Sequence, residues 1–201
     1  MVVRRADPLT RCARVASLLL CGLLGCRRPQ PMAMSLQDNW NDLERSHILH
    51  TMDRWREATN HIVLFVPSPT PFHDRSGEFD RSDLQDGVNV LYKIVAPTPD
   101  TQELQALSGE TLLGYNFQSD VLVYWYEIGI AEGPHEDLHS LDKLLLHELG
   151  HHTGLGHIRT HDAIMNDTEN GTCITEWDLQ AFCEIYECRL SDMHPECDAY
   201  Y

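Results

Sequence analysis

Residues 147–157 contain the side chains with the clearest chemical potential, and they read His-Glu-Leu-Gly-His-His-Thr-Gly-Leu-Gly-His. The apolar run before them, Leu141–Leu146, predicts that this stretch begins on a helix. On a helix, His147 and His151 project from one face because they are four residues apart, so both can bind one metal ion. Glu148 lies about 100° further round the helix. It can therefore reach a metal-bound water without being a ligand itself.

A third histidine, His157, follows after a glycine-containing turn. Gly154 can adopt the left-handed conformation that ends a helix, and such a turn brings His157 back towards the first two histidines. Three neutral nitrogen ligands and one open, water-filled position define a catalytic zinc site, whereas structural zinc has four protein ligands. The spacing therefore predicts one catalytic Zn²⁺ held by the three histidines, with Glu148 as the catalytic base.

The motif resembles that of the metzincin metalloproteases, H-E-x-x-H-x-x-G-x-x-H followed by a Met-turn. All its fixed positions are present, and Met165 is the Met-turn candidate. The gap from His157 to Met165 is most similar to the matrixin branch. The resemblance implies that Met165 lies beneath the zinc as an apolar floor and is not a ligand. Three nearby histidines are expected not to bind the metal, because three nitrogens already complete a catalytic site: His135, His152 and His161.

The reaction expected of this site is hydrolysis of peptide bonds. Zinc lowers the pKa of its bound water to about 7, and Glu148 would take the proton and pass it to the leaving amine. By resemblance, a protein or peptide substrate lies extended along an edge strand of the sheet. Two alternatives stay open: a zinc-binding lipoprotein that has lost catalysis, which would have no need of Glu148, and a metallohydrolase of small amides.

The first 25 residues have the pattern of a signal peptide. Four arginines precede an apolar stretch, Val15–Gly25, that is too short to span a bilayer. The residues Leu-Leu-Gly before Cys26 resemble the bacterial lipobox, in which the cysteine becomes the lipid-bearing first residue of the mature chain. Cys21 is a poorer alternative because no small residue precedes it. We therefore expect an exported protein anchored to the cell envelope through lipid on Cys26, with a secreted protein as the alternative.

The composition indicates one acidic domain. A chain of 201 residues has room for one domain of ordinary size, and its formal net charge is −16. Removing residues 1–25, which contain four arginines and one aspartate, makes that charge −19. Such a surface repels nucleic acid and anionic lipid headgroups. We expect no nucleic-acid partner, membrane contact only through the lipid, and a monomer.

A signal peptide with a lipobox would divide the seven cysteines into three groups. Two leave with the signal peptide, and Cys26 takes the lipid. An even number then remains near the C-terminus: Cys173, Cys183, Cys188 and Cys197. In an exported chain this predicts two disulfides, and all three connectivities stay open. A second zinc site is disfavoured because these cysteines form no C-x-x-C pair.

The predicted fold class is mixed α/β (α+β), resembling a metzincin with a long N-terminal helix and a small C-terminal helical subdomain. The expected organisation is a signal peptide over 1–25, a tether over 26–37 and a peptidase domain over 38–201, divided near residue 156. The predicted elements are a helix from Asp38 or Asn39 to about Thr59, strands over 62–66, 88–95, 110–117 and 121–126, a zinc helix beginning at 137–140, and a last helix capped by Thr175 and Asp178. In metzincins a strand normally precedes the first helix. The tether leaves little room for one, so we expect a sheet that is one strand short or differently ordered.

Residues 67–87 form a predicted loop in which acidic side chains could hold Ca²⁺. The candidates are Asp74, Glu78, Asp80, Asp83 and Asp86. They lack the spacing of an EF-hand, so a solvated acidic loop is the favoured interpretation.

Overall fold

The structure of the protein is a computed structural model that describes residues 30–68, 89–100, 102–103, 114–117, 120–124, 136–159, 162–166 and 171–197. Several sequence-based predictions fall outside these residues and stay predictions. They concern the signal peptide, Cys26, the acidic loop, His135 and His161. No helix within the described ranges is long and apolar enough to cross a membrane.

The described chain is a mixed α/β domain with one sheet and three α-helices. Its elements are β1 (Gln30–Leu36), α1 (Asp42–Ala58), β2 (Val63–Pro67), β3 (Val90–Ile94), β4 (Gly114–Phe117), β5 (Asp120–Tyr124), α2 (Glu136–His152), α3 (Glu176–Tyr186) and a 3₁₀ turn (Leu190–Asp192). The sequence analysis predicts every one of these elements except β1 and the 3₁₀ turn, with boundaries a few residues away.

The sheet has the strand order β2-β1-β3-β5-β4. The first four strands are parallel, as in the pairs Met32 with Phe65 and Leu91 with Val121, whereas β4 runs antiparallel to β5. Strands buried on both faces are rich in apolar side chains, and the one charged residue of β3, Lys93, bonds to the Glu44 carboxylate at 2.6 Å. β3 and the described side chains of β5 are accordingly buried.

β1 corrects two sequence-based expectations: residues 30–36 are a strand and not part of a tether over 26–37, and the sheet is not short of the strand before the first helix. Gln30–Leu36 pairs with β2 on one side and β3 on the other, so it lies inside the sheet. Met34 and Leu36 are buried in the core. Pro31 lies near the beginning of the strand, before the stretch that pairs with β3. Proline is tolerated at the beginning of a strand.

α1 begins with a capping box at Asn41, a few residues later than the predicted cap at Asp38 or Asn39. The Asn41 side chain accepts from the Glu44 amide at 3.0 Å, and the Glu44 carboxylate accepts from the Asn41 amide at 2.9 Å. The buried stripe of α1, which includes Ile48, Met52 and Trp55, packs in the core between β2 and α2.

Two disulfides hold the C-terminal segment. Cys173 pairs with Cys197, and Cys183 pairs with Cys188. The first joins the chain before α3 to the end of the described chain, and the second closes the C-terminal end of α3. This connectivity is one of the three that the sequence left open.

Candidate metal centre

Three histidine side chains from α2 and the turn after it converge on one point. The Nε2 atoms of His147 and His151 are 3.1 Å apart, those of His151 and His157 are 3.1 Å apart, and those of His147 and His157 are 3.3 Å apart. Zinc–nitrogen bonds of about 2.0–2.1 Å at tetrahedral angles separate two ligand nitrogens by roughly 3.3 Å. The triangle therefore has the size that one tetrahedral zinc ion requires.

Backbone carbonyls fix the protonation of two of these rings. Nδ1 of His147 lies 2.8 Å from the Ile164 carbonyl oxygen, and Nδ1 of His151 lies 2.8 Å from the Leu155 carbonyl oxygen. A carbonyl oxygen only accepts hydrogen bonds, so each Nδ1 carries the proton. In the neutral ring Nε2 then has a free lone pair, which is the form that binds a metal.

A Schellman motif turns the chain from His151 to His157. Gly154 has a φ of +96°, in the left-handed region where a side chain would be strained. Its amide donates to the His151 carbonyl at 2.8 Å, and the Leu155 amide donates to the Gly150 carbonyl at 3.2 Å. These two bonds end α2 and reverse the chain, because they bond the last helical carbonyls within the turn.

Glu148 follows the first histidine of the triad and is buried. Burial raises the pKa of its carboxyl group to about 8. A general acid–base group works best when its pKa lies near the working pH. A cation held by the neighbouring histidines would lower the pKa of Glu148 again, because an opposite charge favours the ionised carboxylate.

Burial also lowers the pKa of His151 and His152, which favours their neutral forms. For His151 the nearby His157 acts in the same direction, and the hydrogen bond to Leu155 opposes it. His152 is not part of the metal-binding group: its ring lies 6.0 Å from that of Phe65. Within the described residues, the triad is the single cluster of three or more His, Cys, Asp or Glu side chains with the spacing of metal ligands.

Met165 is fully buried beside α2. A Cβ atom built on Gly150 would lie 2.2 Å from the Met165 Sδ atom and 3.0 Å from Cζ2 of Trp55. The thioether therefore fills the space that a side chain at Gly150 would need. The Trp55 indole also donates to the Leu146 carbonyl at 2.9 Å, so α1 contacts α2 beside His147.

The fold of this chain is similar to that of archaemetzincin. The crystal structure of archaemetzincin from Methanopyrus kandleri superposes with a TM-score of 0.52 at 15% sequence identity, over 79% of this chain and 96% of that one. No protein-family model matches the sequence, and no curated protein does either. The comparison therefore establishes an archaemetzincin-like fold.

Within this archaemetzincin-like fold, the structure adds contacts that the motif does not contain. The sequence predicts Asp178 only as the partner of Thr175 in a capping box, and no sequence pattern predicts a role for Tyr186. Both side chains reach the backbone around the histidine triad from α3. The only sequence signal for Asp178 was its spacing from Thr175 in the capping box, and Tyr186 had no signal. The hydrogen bonds of these two side chains to the backbone near the triad join residues far apart in the chain, so local patterns do not predict them.

Proposed function

We propose that this protein is a zinc-dependent metalloendopeptidase. The observation that carries the proposal is the convergence of three histidine Nε2 atoms within 3.3 Å of one another. On His147 and His151, hydrogen bonds through Nδ1 leave those Nε2 atoms as lone-pair donors. A buried carboxylate, Glu148, follows the first of these histidines.

Zinc held by the triad would supply a Lewis acid that polarises the scissile carbonyl and acidifies the attacking water. Glu148 accepts a proton from that water as the water oxygen bonds to the carbonyl carbon. It then donates the proton to the amide nitrogen as the C–N bond breaks. The residue begins and ends the cycle in the same protonation state.

The position of the edge strand supports a peptide as the substrate. β4 is the last strand of the described sheet, and α2, which contains His147 and His151, packs against it. An extended peptide can add to such an edge through main-chain hydrogen bonds. This arrangement favours a protein or peptide over the alternative substrate, a small amide, because a small amide has no use for a strand edge.

Two finer assignments belong to the proposal. The spacing from His157 to Met165 supports a matrixin-like branch. Two disulfides support export, because disulfides persist in oxidising compartments. We propose a lipid anchor on Cys26 from the lipobox-like residues before it, and a monomeric enzyme whose one resident cofactor is zinc.

Cleavage of a peptide library by the purified protein tests the function. We expect cuts inside peptides, loss of cleavage after treatment with a chelator, and recovery when Zn²⁺ is added back. A protein that binds one equivalent of zinc but cleaves neither peptides nor small amides would support the non-catalytic alternative. Hydrolysis of small amides but not of peptides would support the other alternative, a metallohydrolase of small amides. A parent protein that binds no zinc would overturn all three.

A further inference from the structure

We propose that Asp178 and Tyr186, both on α3, are positioning residues for the metal centre. Their hydrogen bonds to this region go to backbone groups. Each bonds to a backbone segment that holds a candidate ligand. The inference rests on the metal centre of the proposed function and extends it to a helix that lies outside the motif.

Asp178 is fully buried and bonds to two backbone segments, Ile164 with Met165 and, next to α3, Thr175. One carboxylate oxygen accepts from the Met165 amide at 3.1 Å. The other accepts from the Ile164 amide at 3.1 Å and from the amide and hydroxyl groups of Thr175, each at 2.8 Å. The bonds to Thr175 are accounted for by helix capping. The bonds to Ile164 and Met165 are not, because these residues lie more than ten positions before the helix.

The two amides that Asp178 holds belong to the residues whose carbonyl groups bond around the triad. The Ile164 carbonyl accepts from Nδ1 of His147 at 2.8 Å. The Met165 carbonyl accepts from the amide of Ile158 at 2.8 Å, directly after His157. The Met165 amide and the Ile164 carbonyl belong to the same peptide unit, so fixing that unit orients the ring of His147. The Met165 carbonyl is in the next peptide unit, so Asp178 supports the backbone beside His157 indirectly, through the same residue. Partners of this kind set the tautomer and direction of a metal-binding histidine.

Tyr186 acts at the turn after His151. Its hydroxyl group donates to the Thr153 carbonyl at 3.1 Å. Thr153 directly follows α2, where backbone carbonyls lack an intrahelical partner. The Tyr186 ring is itself stacked on Phe182, with ring centres 4.2 Å apart. The Tyr186 contact therefore supports the Schellman turn that brings His157 to the other two histidines.

α3 is well suited to hold these backbone segments in place. One disulfide joins the segments before and after α3, and the other joins α3 to the segment after it. Cys173 precedes the helix and pairs with Cys197, while Cys183 in the helix pairs with Cys188 after it. Asp178 lies between the first and second of these half-cystines along the chain, and Tyr186 lies within the loop of the short disulfide.

Three variants separate positioning from ordinary helix stability. Asp178→Asn keeps the shape of the side chain but leaves one acceptor oxygen, so one set of bonds is lost whichever way the amide points. Thr175→Val is the matched control, because it removes the hydroxyl bond of the cap and leaves Ile164 and Met165 with their partner. Tyr186→Phe removes the hydroxyl group and keeps the ring that stacks on Phe182.

The readouts are Zn²⁺ affinity, by competition with a chromophoric chelator, and the visible absorption of the Co²⁺ form, which reports ligand geometry. We expect Asp178→Asn to bind Zn²⁺ roughly 10–100-fold more weakly, the range for partners that orient metal ligands. Tyr186→Phe should lose about fivefold, as for one neutral hydrogen bond. Thr175→Val should stay within about threefold of the parent, and the Co²⁺ spectrum should change only in Asp178→Asn and Tyr186→Phe.

A folded Asp178→Asn protein with the affinity and Co²⁺ spectrum of the parent would overturn the proposal. So would a loss in Thr175→Val as large as that in Asp178→Asn, because capping alone would then explain it. If Asp178→Asn does not fold, Tyr186→Phe decides, and parental binding by that variant overturns the proposal. A parent that binds no Zn²⁺ overturns the metal centre, whereas a parent that binds zinc and cleaves peptides, with unaffected variants, overturns positioning alone.

Discussion

Hydrogen bonds through the Nδ1 atoms of two histidines decide what the triad can bind. His147 and His151 each donate through Nδ1 to a carbonyl oxygen, so their Nε2 lone pairs face each other at 3.1 Å. Two lone pairs at that distance repel unless a cation lies between them. Protonating one ring is unfavourable, because burial lowers the pKa of His151. A metal ion relieves the repulsion without adding a proton, which is why we interpret the cluster as a metal site.

Exchange of Glu148 for glutamine tests the division between metal binding and catalysis. Glu148→Gln should retain Zn²⁺, because the three histidines are unchanged, and should lose at least about 100-fold in turnover, because the proton acceptor is gone. Metal content and peptide hydrolysis should be measured on the same preparation. Hydrolysis within tenfold of the parent would remove Glu148 from the mechanism.

Gly150 lies where Met165 and Trp55 leave no room for a side chain. Gly150→Ala places a methyl group 2.2 Å from the Met165 Sδ atom, and both neighbours are fully buried. Overpacking of this kind costs about 1–3 kcal/mol, more than the roughly 0.5–1 kcal/mol that alanine gains over glycine in a helix. We expect a lower free energy of unfolding in urea for the metal-free protein, together with weaker Zn²⁺ binding.

Gly156→Ala is the matched control, because a Cβ atom there meets nothing within 4 Å although the residue adjoins His157. It should leave stability within about 0.5 kcal/mol of the parent, as for most surface substitutions. The double variant Gly150→Ala, Met165→Ala should lose less stability than the sum of the two single losses, because Met165→Ala removes the atom that conflicts with the new methyl group. Independent, additive effects in that double variant would contradict the proposed packing.

Among the elements, those with a periodic apolar pattern could be predicted from the sequence. α1 could be predicted because its apolar residues recur at helical spacing, and β3 because its apolar run ends at prolines. β1 was missed because Pro31 and the short distance to α1 indicated a tether. Its residues are strand-forming only because β2 and β3 lie on either side of it. β1 is a strand because it pairs with segments that are distant in the sequence, and the local sequence pattern does not show that pairing.

The candidate site also has a part that the sequence predicts and a part that only the folded structure shows. The spacing of His147, His151 and His157 along a helix and a turn is local, so the sequence alone predicts that they converge. The bonds from Asp178 to Ile164 and from Tyr186 to Thr153 join residues 14 and 33 positions apart. They depend on where α3 packs, which no motif in the sequence specifies.

The two disulfides predict a difference in stability that follows from loop length. The sequence separation is 24 residues for Cys173–Cys197 and 5 residues for Cys183–Cys188. In the chain-entropy model, closing the longer loop stabilises by about 3.5 kcal/mol and the shorter by about 2 kcal/mol. Replacing both cysteines of the long loop with serine should therefore lower the free energy of unfolding more than the same change in the short loop.

Urea unfolding in the presence of a chelator makes that comparison without a contribution from bound metal. Thiol titration of the unfolded protein, purified without reductant, should first find none of these four cysteines free. Four reactive thiols would contradict both the pairing and the oxidising compartment that it implies. An equal loss from the two double replacements would contradict the loop-length argument alone.

At the scale of the whole molecule, charge and location are linked. The formal net charge of −16 becomes −19 without residues 1–25. A surface of that sign is repelled by anionic lipid headgroups, and none of the described helices could span a bilayer. Covalent lipid on Cys26 is the means of attachment that we propose. This is the reason for testing Cys26, although it lies outside the described residues.

Exchange of that cysteine is the last prediction. Cys26→Ser should abolish incorporation of labelled fatty acid in a bacterial host, because serine offers no sulfur for the thioether that carries the lipid, and it should move the protein from the membrane fraction to the soluble fraction. Cys21→Ser is the matched control and should stay labelled and membrane-bound, since no small residue precedes that cysteine. Continued labelling of Cys26→Ser would show that Leu-Leu-Gly-Cys is not a lipobox. Loss of label with retention in the membrane would instead show that something other than lipid attaches this acidic protein, against the repulsion that its charge predicts.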